Sequence, residues 1–195
     1  MAAIRIKTTW FRKEGGRAND ETASVLALNI WKMASKAVDD ISKAEYDIVD
    51  VGRGFGIIAE MCAFMVHVAD RMLYGRVEET RRGQLIESIG ARLAEIVEQN
   101  VRDLANDDTN ERDYQAEFLD FLNRRGEDYA TFDYPPDEPD FSSKRYLANM
   151  IRDRMDAQDK TWVIDQIIEF QAPEAIDTVK KLINGLFPRQ EAAPA

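Results

Sequence analysis

The chain has 195 residues, 26 basic against 36 acidic side chains, a net charge of −10, and only one cysteine and one histidine. Its hydrophobic share of 45% and charged share of 32% describe an ordinary globular protein that can bury a sizeable core without disulfides or structural metal. The acidic balance argues against a nucleic-acid partner, because phosphate binding needs a concentrated basic surface. Cys62 stands alone, so neither an intramolecular disulfide nor a cysteine-based zinc set can form, and its apolar setting reads as a buried structural thiol. The N-terminal residues lack the long apolar segment of a signal peptide. The longest apolar run, residues 57 to 69, is broken by Glu60 and His67 and falls short of the ~20 residues a bilayer requires. A cytoplasmic protein with no membrane partner is expected.

Residues 1 to 18 differ in pattern from the rest of the chain. Ile4, Ile6 and Thr8 alternate with Arg5 and Lys7, and Trp10, Phe11 and a Gly15–Gly16 loop come next. The pattern suits an extended basic arm laid on a helix surface or on a second subunit. Asn19 is a candidate N-cap with Asp20 and Glu21 in the first turn, and Val25, Leu28, Ile30, Trp31, Ala34 and Val38 predict a helix over about 20 to 42. Residues 46 to 74 are apolar around almost the whole circumference of a helix, which predicts a long central buried helix. Leu85, Ile86, Ile89, Leu93, Ile96, Val97, Val101 and Leu104 give the clearest amphipathic stripe. Asp108 and Glu111 resemble a capping box, and Tyr114, Phe118, Phe121 and Leu122 mark a fourth helix that Gly126 can end.

Residues 126 to 141 hold three prolines and six acids with no base, interspersed with four aromatics. Such a segment cannot be a regular helix, and Tyr129, Phe132, Tyr134 or Phe141 is expected to pin it to the body of the protein. Ser142 or Ser143 can cap a fifth helix through Met150, Ile151 and Met155. A sixth, over about 159 to 170, carries Trp162, Val163, Ile164, Ile167, Ile168 and Phe170 and reads as deeply buried. Pro173 suits the first turn of a seventh, lined by Ile176, Val179, Ile183 and Phe187 as far as Pro188. The pattern predicts an all-α, single-domain helical bundle of six or seven helices around a long central buried helix. It would comprise a basic arm at 1–18, the helical domain at 19–187 and a mobile tail at 188–195.

Tyr46, Ile48 and Val49 lead into DVGRGFG at residues 50 to 56. This resembles the first motif of the S-adenosylmethionine-dependent methyltransferases, where a strand runs into a glycine turn whose backbone approaches the cofactor. The resemblance implies a turn made by Gly52, Gly54 and Gly56, and a ribose-binding carboxylate at Asp70. FDYPPD, residues 132 to 137, is similar to the family's proline-containing catalytic motif. The neighbouring residues favour a helix instead: residues 77 to 125 read as two successive helices where a doubly wound sheet needs strands. Between Gly56 and Val66 there is too little chain for a helix, a turn and a second strand. Glycines in a buried helix let a neighbouring group approach closely.

On that helix Glu60, Phe64, His67, Arg71 and Tyr74 succeed one another at spacings of three and four, with Asp70 at the edge of their face. Buried polar groups need partners, so this seam is either a satisfied network that fixes helix register or a small pocket with His67 as acid or base and Arg71 as an anion anchor. Glu60, His67, Asp70, Arg71 and Tyr74 are thus the candidate ligand-binding residues. A ferritin-type di-iron site needs Glu-x-x-His on two helices, whereas this chain has one histidine preceded at that spacing by Phe64. The acidic loop, with Asp133, Asp137, Glu138 and Asp140, lacks the alternating ligands and central glycine of a calcium hand. Neither metal nor cofactor is expected. The resulting expectation is a non-catalytic helical binding or assembly protein, homodimeric or joined to another protein. The alternative is a small-ligand protein or enzyme at the seam, most concretely the methyltransferase.

Overall fold

Apolar side chains three and four residues apart set the course of the chain, which the computed structural model describes over residues 17–44, 51–105, 112–134, 139 and 141–188. The elements are α1 (Arg17–Lys43), α2 (Val51–Leu73), α3 (Glu79–Ala105), α4 (Tyr114–Tyr129), α5 (Phe141–Arg152), α6 (Trp162–Gln166) and α7 (Ala172–Leu186), with a π-helical turn (Ile167–Gln171) between the last two. No strand occurs among the described residues. The architecture is an all-α helical bundle. Residues 1–16 of the N-terminal arm, residues 189–195 of the C-terminal tail, the Asp108–Glu111 box, and residues 135–138 and 140 of the proline-rich stretch lie outside the described residues.

In α2, Ile57 and every residue from 60 to 70 are buried. The helix packs against α1, α3, α4, α5 and α7, as an apolar circumference requires. It is not the longest element: α1 and α3 have 27 residues each and α2 has 23. Gly75, at φ 73°, turns the chain out of α2 in the left-handed conformation glycine adopts without steric cost. Glu78 then caps α3 by accepting from the backbone N–H groups of Thr80 (2.9 Å) and Arg81 (3.0 Å), and these bonds hold its carboxyl below the usual range.

Several sequence expectations need correction. Helix α1 begins at Arg17, so Asn19 lies inside its first turn, where its side chain accepts from Arg81 Nε at 3.3 Å. Its buried stripe is Ala23, Leu26, Ala27, Ile30, Met33, Ala34, Ala37 and Ile41, while Val25 and Leu28 face outward. Gly126 does not end α4, which runs to Tyr129 because Arg125, Asp128 and Tyr129 are all engaged in the cluster around Glu60. Asp113 caps that helix, accepting from Ala116 N–H at 2.9 Å. Ser142 and Ser143 lie within α5, which stops at Arg152 before Met155.

The sixth helix is not deeply buried. Val163 and Ile167 point inward, but Trp162 and Phe170 are exposed. It also does not break before the seventh: the N–H of Ala172 reaches back to the carbonyl of Ile167, a wider π-type turn. Pro173 comes directly after it. In a regular helix its ring would crowd the carbonyl four residues earlier, and the widened turn accommodates it. No helix among the described residues is long and apolar enough to cross a membrane.

Candidate functional site

Arg53, Gly56 and Glu60 succeed each other along one face of α2. Glu60 is completely buried. Arg125 of α4 grips it in a bidentate manner, Nε donating to Oε2 at 2.7 Å and Nη2 to Oε1 at 2.9 Å. Arg154, from the turn after α5, donates to Oε1 at 2.7 Å. The third nitrogen of Arg125 reaches Asp128 Oδ2 (3.1 Å) and the Tyr146 hydroxyl (3.3 Å), and that hydroxyl donates to Asp128. Paired, hydrogen-bonded charges of this kind are how a buried carboxylate is tolerated.

Gly56 explains part of this geometry. A Cβ at that position would lie 2.7 Å from Nη1 of Arg154 and 3.1 Å from its Cδ, so the missing side chain is what lets the guanidinium lie along α2. One turn earlier, Arg53 makes the reciprocal bridge, its Nη1 and Nη2 donating to Asp156 at 2.8 and 2.9 Å. Two arginine–carboxylate pairs of opposite polarity therefore tie the turn after α5 to the first half of α2.

Beside Glu60 lies an aromatic group built on Tyr129. His67 stacks on the Tyr129 ring at 4.9 Å with 18° between planes, and Tyr134 meets His67 edge-on at 5.9 Å. Phe64, Phe132 and Tyr146 complete the group. Burial, with the negative charge of Glu60 second, pushes the Tyr129 phenol well above its ordinary value. Burial likewise raises Tyr146, helped by its bond to Asp128. The expected pinning of the loop thus falls to Tyr129, Phe132 and Tyr134, whereas Phe141 is exposed.

A second charged group occupies the other end of the seam. Asp70 accepts from Nη1 of the buried Arg82, whose Nε donates to Glu79 at 3.0 Å. The Arg82 guanidinium also lies 5.5 Å from the centre of the Tyr74 ring. Burial pushes the Asp70 carboxyl upward against the opposing pull of Arg82 and Arg71.

Of the five residues singled out in the sequence, Glu60 and His67 therefore belong to one cluster, and Asp70, Arg71 and Tyr74 to another. Tyr74 is half exposed. Gly52, Gly54 and Gly56 lie inside α2, so the strand and glycine turn of a nucleotide site are not formed. Asp70 is a helical residue turned to Arg82 rather than a ribose carboxylate at a strand end. Among the described residues no three His, Cys, Asp or Glu side chains converge as metal ligands. Sequence reasoning missed Arg125, Arg154, Asp128, Tyr146 and Arg82. The signal that could have prompted a search for them is Glu60 itself, since a carboxylate amid an apolar run demands cations from elsewhere.

Both Glu60 oxygens are held by guanidinium groups, and His67 lies against the rings of Tyr129 and Tyr134. No protein-family model, curated protein or solved structure matches the chain.

Proposed function

We propose that the chain is a non-catalytic helical binding or assembly protein, cytoplasmic and homo-oligomeric, acting through the exposed side of α6, the π turn and α7. The observation that carries the reading is the exposure of Trp162 (67%) and Phe170 (58%) on a helical segment whose other side, with Val163, Ile167, Ala172, Ala175, Ile176, Val179 and Ile183, is buried. Large aromatics are the side chains that most often anchor protein interfaces. The saturation of Glu60 by two arginines supports the same reading, because it leaves the seam a structural task. Cys62 adds a minor point: burial pushes its thiol upward, which suits an inert thiol in a reducing compartment.

Sedimentation equilibrium of the wild type and of the double variant Trp162→Ser/Phe170→Ser tests this. The wild type is expected at dimer mass or above and the variant at monomer mass, with far-ultraviolet circular dichroism showing the same helical content because both side chains are exposed on the chain. A wild type that remains monomeric at high concentration would overturn the homo-oligomeric reading.

A further inference from the structure

Helix α5 packs against both α6 and the π turn, so their outer sides adjoin. The turn that joins α5 to α6 is tied to α2 through Arg154–Glu60 and Arg53–Asp156, which holds the two helices in a fixed relation before anything binds. Their outer sides carry opposite charges. On α5, whose inner side is Ser143, Leu147, Ala148 and Ile151, Phe141 and Arg145 are exposed and lie one turn apart on the same face. On α6 and the π turn, Asp165 and Glu169 are exposed together with Trp162 and Phe170.

Among the described residues no ion pair engages Arg145, Asp165 or Glu169, although their helices are in contact. Opposite charges that do not pair within the chain remain available to another molecule. A complementary occupant must offer an acidic aromatic strip to α5 and, beside it, a basic aromatic strip to α6. This chain has that pattern itself. A half-turn rotation about an axis between α5 and α6 sets the basic strip of each copy on the acidic strip of the other, so the contact is made twice. The lengths agree as well: α5 has 12 residues, and α6 and the π turn have five each, giving strips of ~18 and ~15 Å at ~1.5 Å per residue. Buried aromatics then supply the anchors, and charge fixes the register.

We infer that this surface binds a second copy of the chain in a two-fold dimer, Phe141 and Arg145 of one copy lying against Trp162, Asp165, Glu169 and Phe170 of the other, and reciprocally. The inference rests on the homo-oligomeric reading of the α6 face, and it adds α5 as the surface that meets that face.

Two full-length variants test it by sedimentation equilibrium. Arg145→Glu turns the α5 strip acidic like its neighbour, and Asp165→Lys/Glu169→Lys turns the α6 strip basic like its neighbour. Each variant alone is expected to weaken dimerisation at least ~10-fold, because like charges then face each other at both contacts. An equimolar mixture of the two is expected to recover dimer mass, since an acidic strip meets a basic one at both contacts again. That recovery separates charge repulsion from misfolding. A dimeric wild type whose variants stay dimeric alone, or stay monomeric when mixed, would overturn this inference and leave the homo-oligomeric reading standing. An assembly larger than a dimer would do the same. A wild type that is monomeric at high concentration removes both.

Discussion

Glu60 and Asp70 are buried carboxylates on the same helix, yet they are neutralised in different ways. Glu60 takes its cations from Arg125, 65 residues away, and Arg154, 94 residues away. Asp70 takes Arg82 from the next helix, only 12 residues along the chain, and Arg82 keeps a second partner in Glu79. The first arrangement joins α2, α4 and the turn after α5 at one point, so it can form only when the tertiary structure is in place. The second is nearly local to the α2–α3 hairpin. A buried charge that unites three elements is a vulnerable point, since removing it strands two guanidinium groups at once.

The largest effect is therefore expected at Glu60. Glu60→Ala should cost ~3 kcal/mol in urea denaturation, the lower end of the range for breaking a buried pair. The lower end applies because the Arg125 and Arg154 side chains keep 19% and 34% of their exposure and can be hydrated. A loss no larger than that of Asp70→Asn would erase the contrast between the two ends.

Asp70→Asn should cost less, ~1 kcal/mol, because Asn still accepts a hydrogen bond and Arg82 retains Glu79. Its pH dependence sharpens the comparison. Burial raises the Asp70 carboxyl, so the folded chain holds that proton more tightly than the unfolded chain. The group's contribution is then fully present below the ordinary carboxylate value of ~3.9 and declines as pH rises through the folded value. The deficit of Asp70→Asn is accordingly expected to shrink as pH rises from the ordinary carboxylate value of ~3.9 toward neutrality. A deficit that grows over that interval would mean that the attraction of Arg82 outweighs burial.

The smallest net change is expected at Gly56. Alanine is favoured over glycine inside a helix by ~1 kcal/mol, but here its Cβ meets Arg154 at 2.7 Å. Gly56→Ala should therefore show little of that gain in the wild-type background and recover it when Arg154→Ala is also present, a coupling of ~1 kcal/mol. Effects that add to within ~0.3 kcal/mol would show that Gly56 has no part in seating Arg154.

Much of the helical plan was legible because its cause is local. The three-and-four spacing of Leu85, Ile86, Ile89 and Leu93 marks the buried stripe of α3, and the apolar run after Ile57 marks a helix covered on all sides. Aromatics placed among acids likewise pointed to an anchored loop, and Tyr129, Phe132 and Tyr134 supply the anchors. Gly126 misled because a glycine near a helix end usually stops it, whereas here the contacts of Asp128 and Tyr129 stabilise one more turn. Trp162 and Phe170 misled because hydrophobicity by itself does not say which side of a helix the bundle covers.

Periodicity and composition determined an acidic all-α protein with a buried thiol and a polar seam in its most apolar helix, because each of those properties depends on residues a few positions apart. The tertiary structure alone decided that the seam divides into two charged groups, that Arg125 and Arg154 converge on Glu60, and that Gly56 makes room for one of them. Those partners lie 65 and 94 residues from Glu60 in the chain, and a carboxylate states its need for a cation without stating which distant residue will meet it.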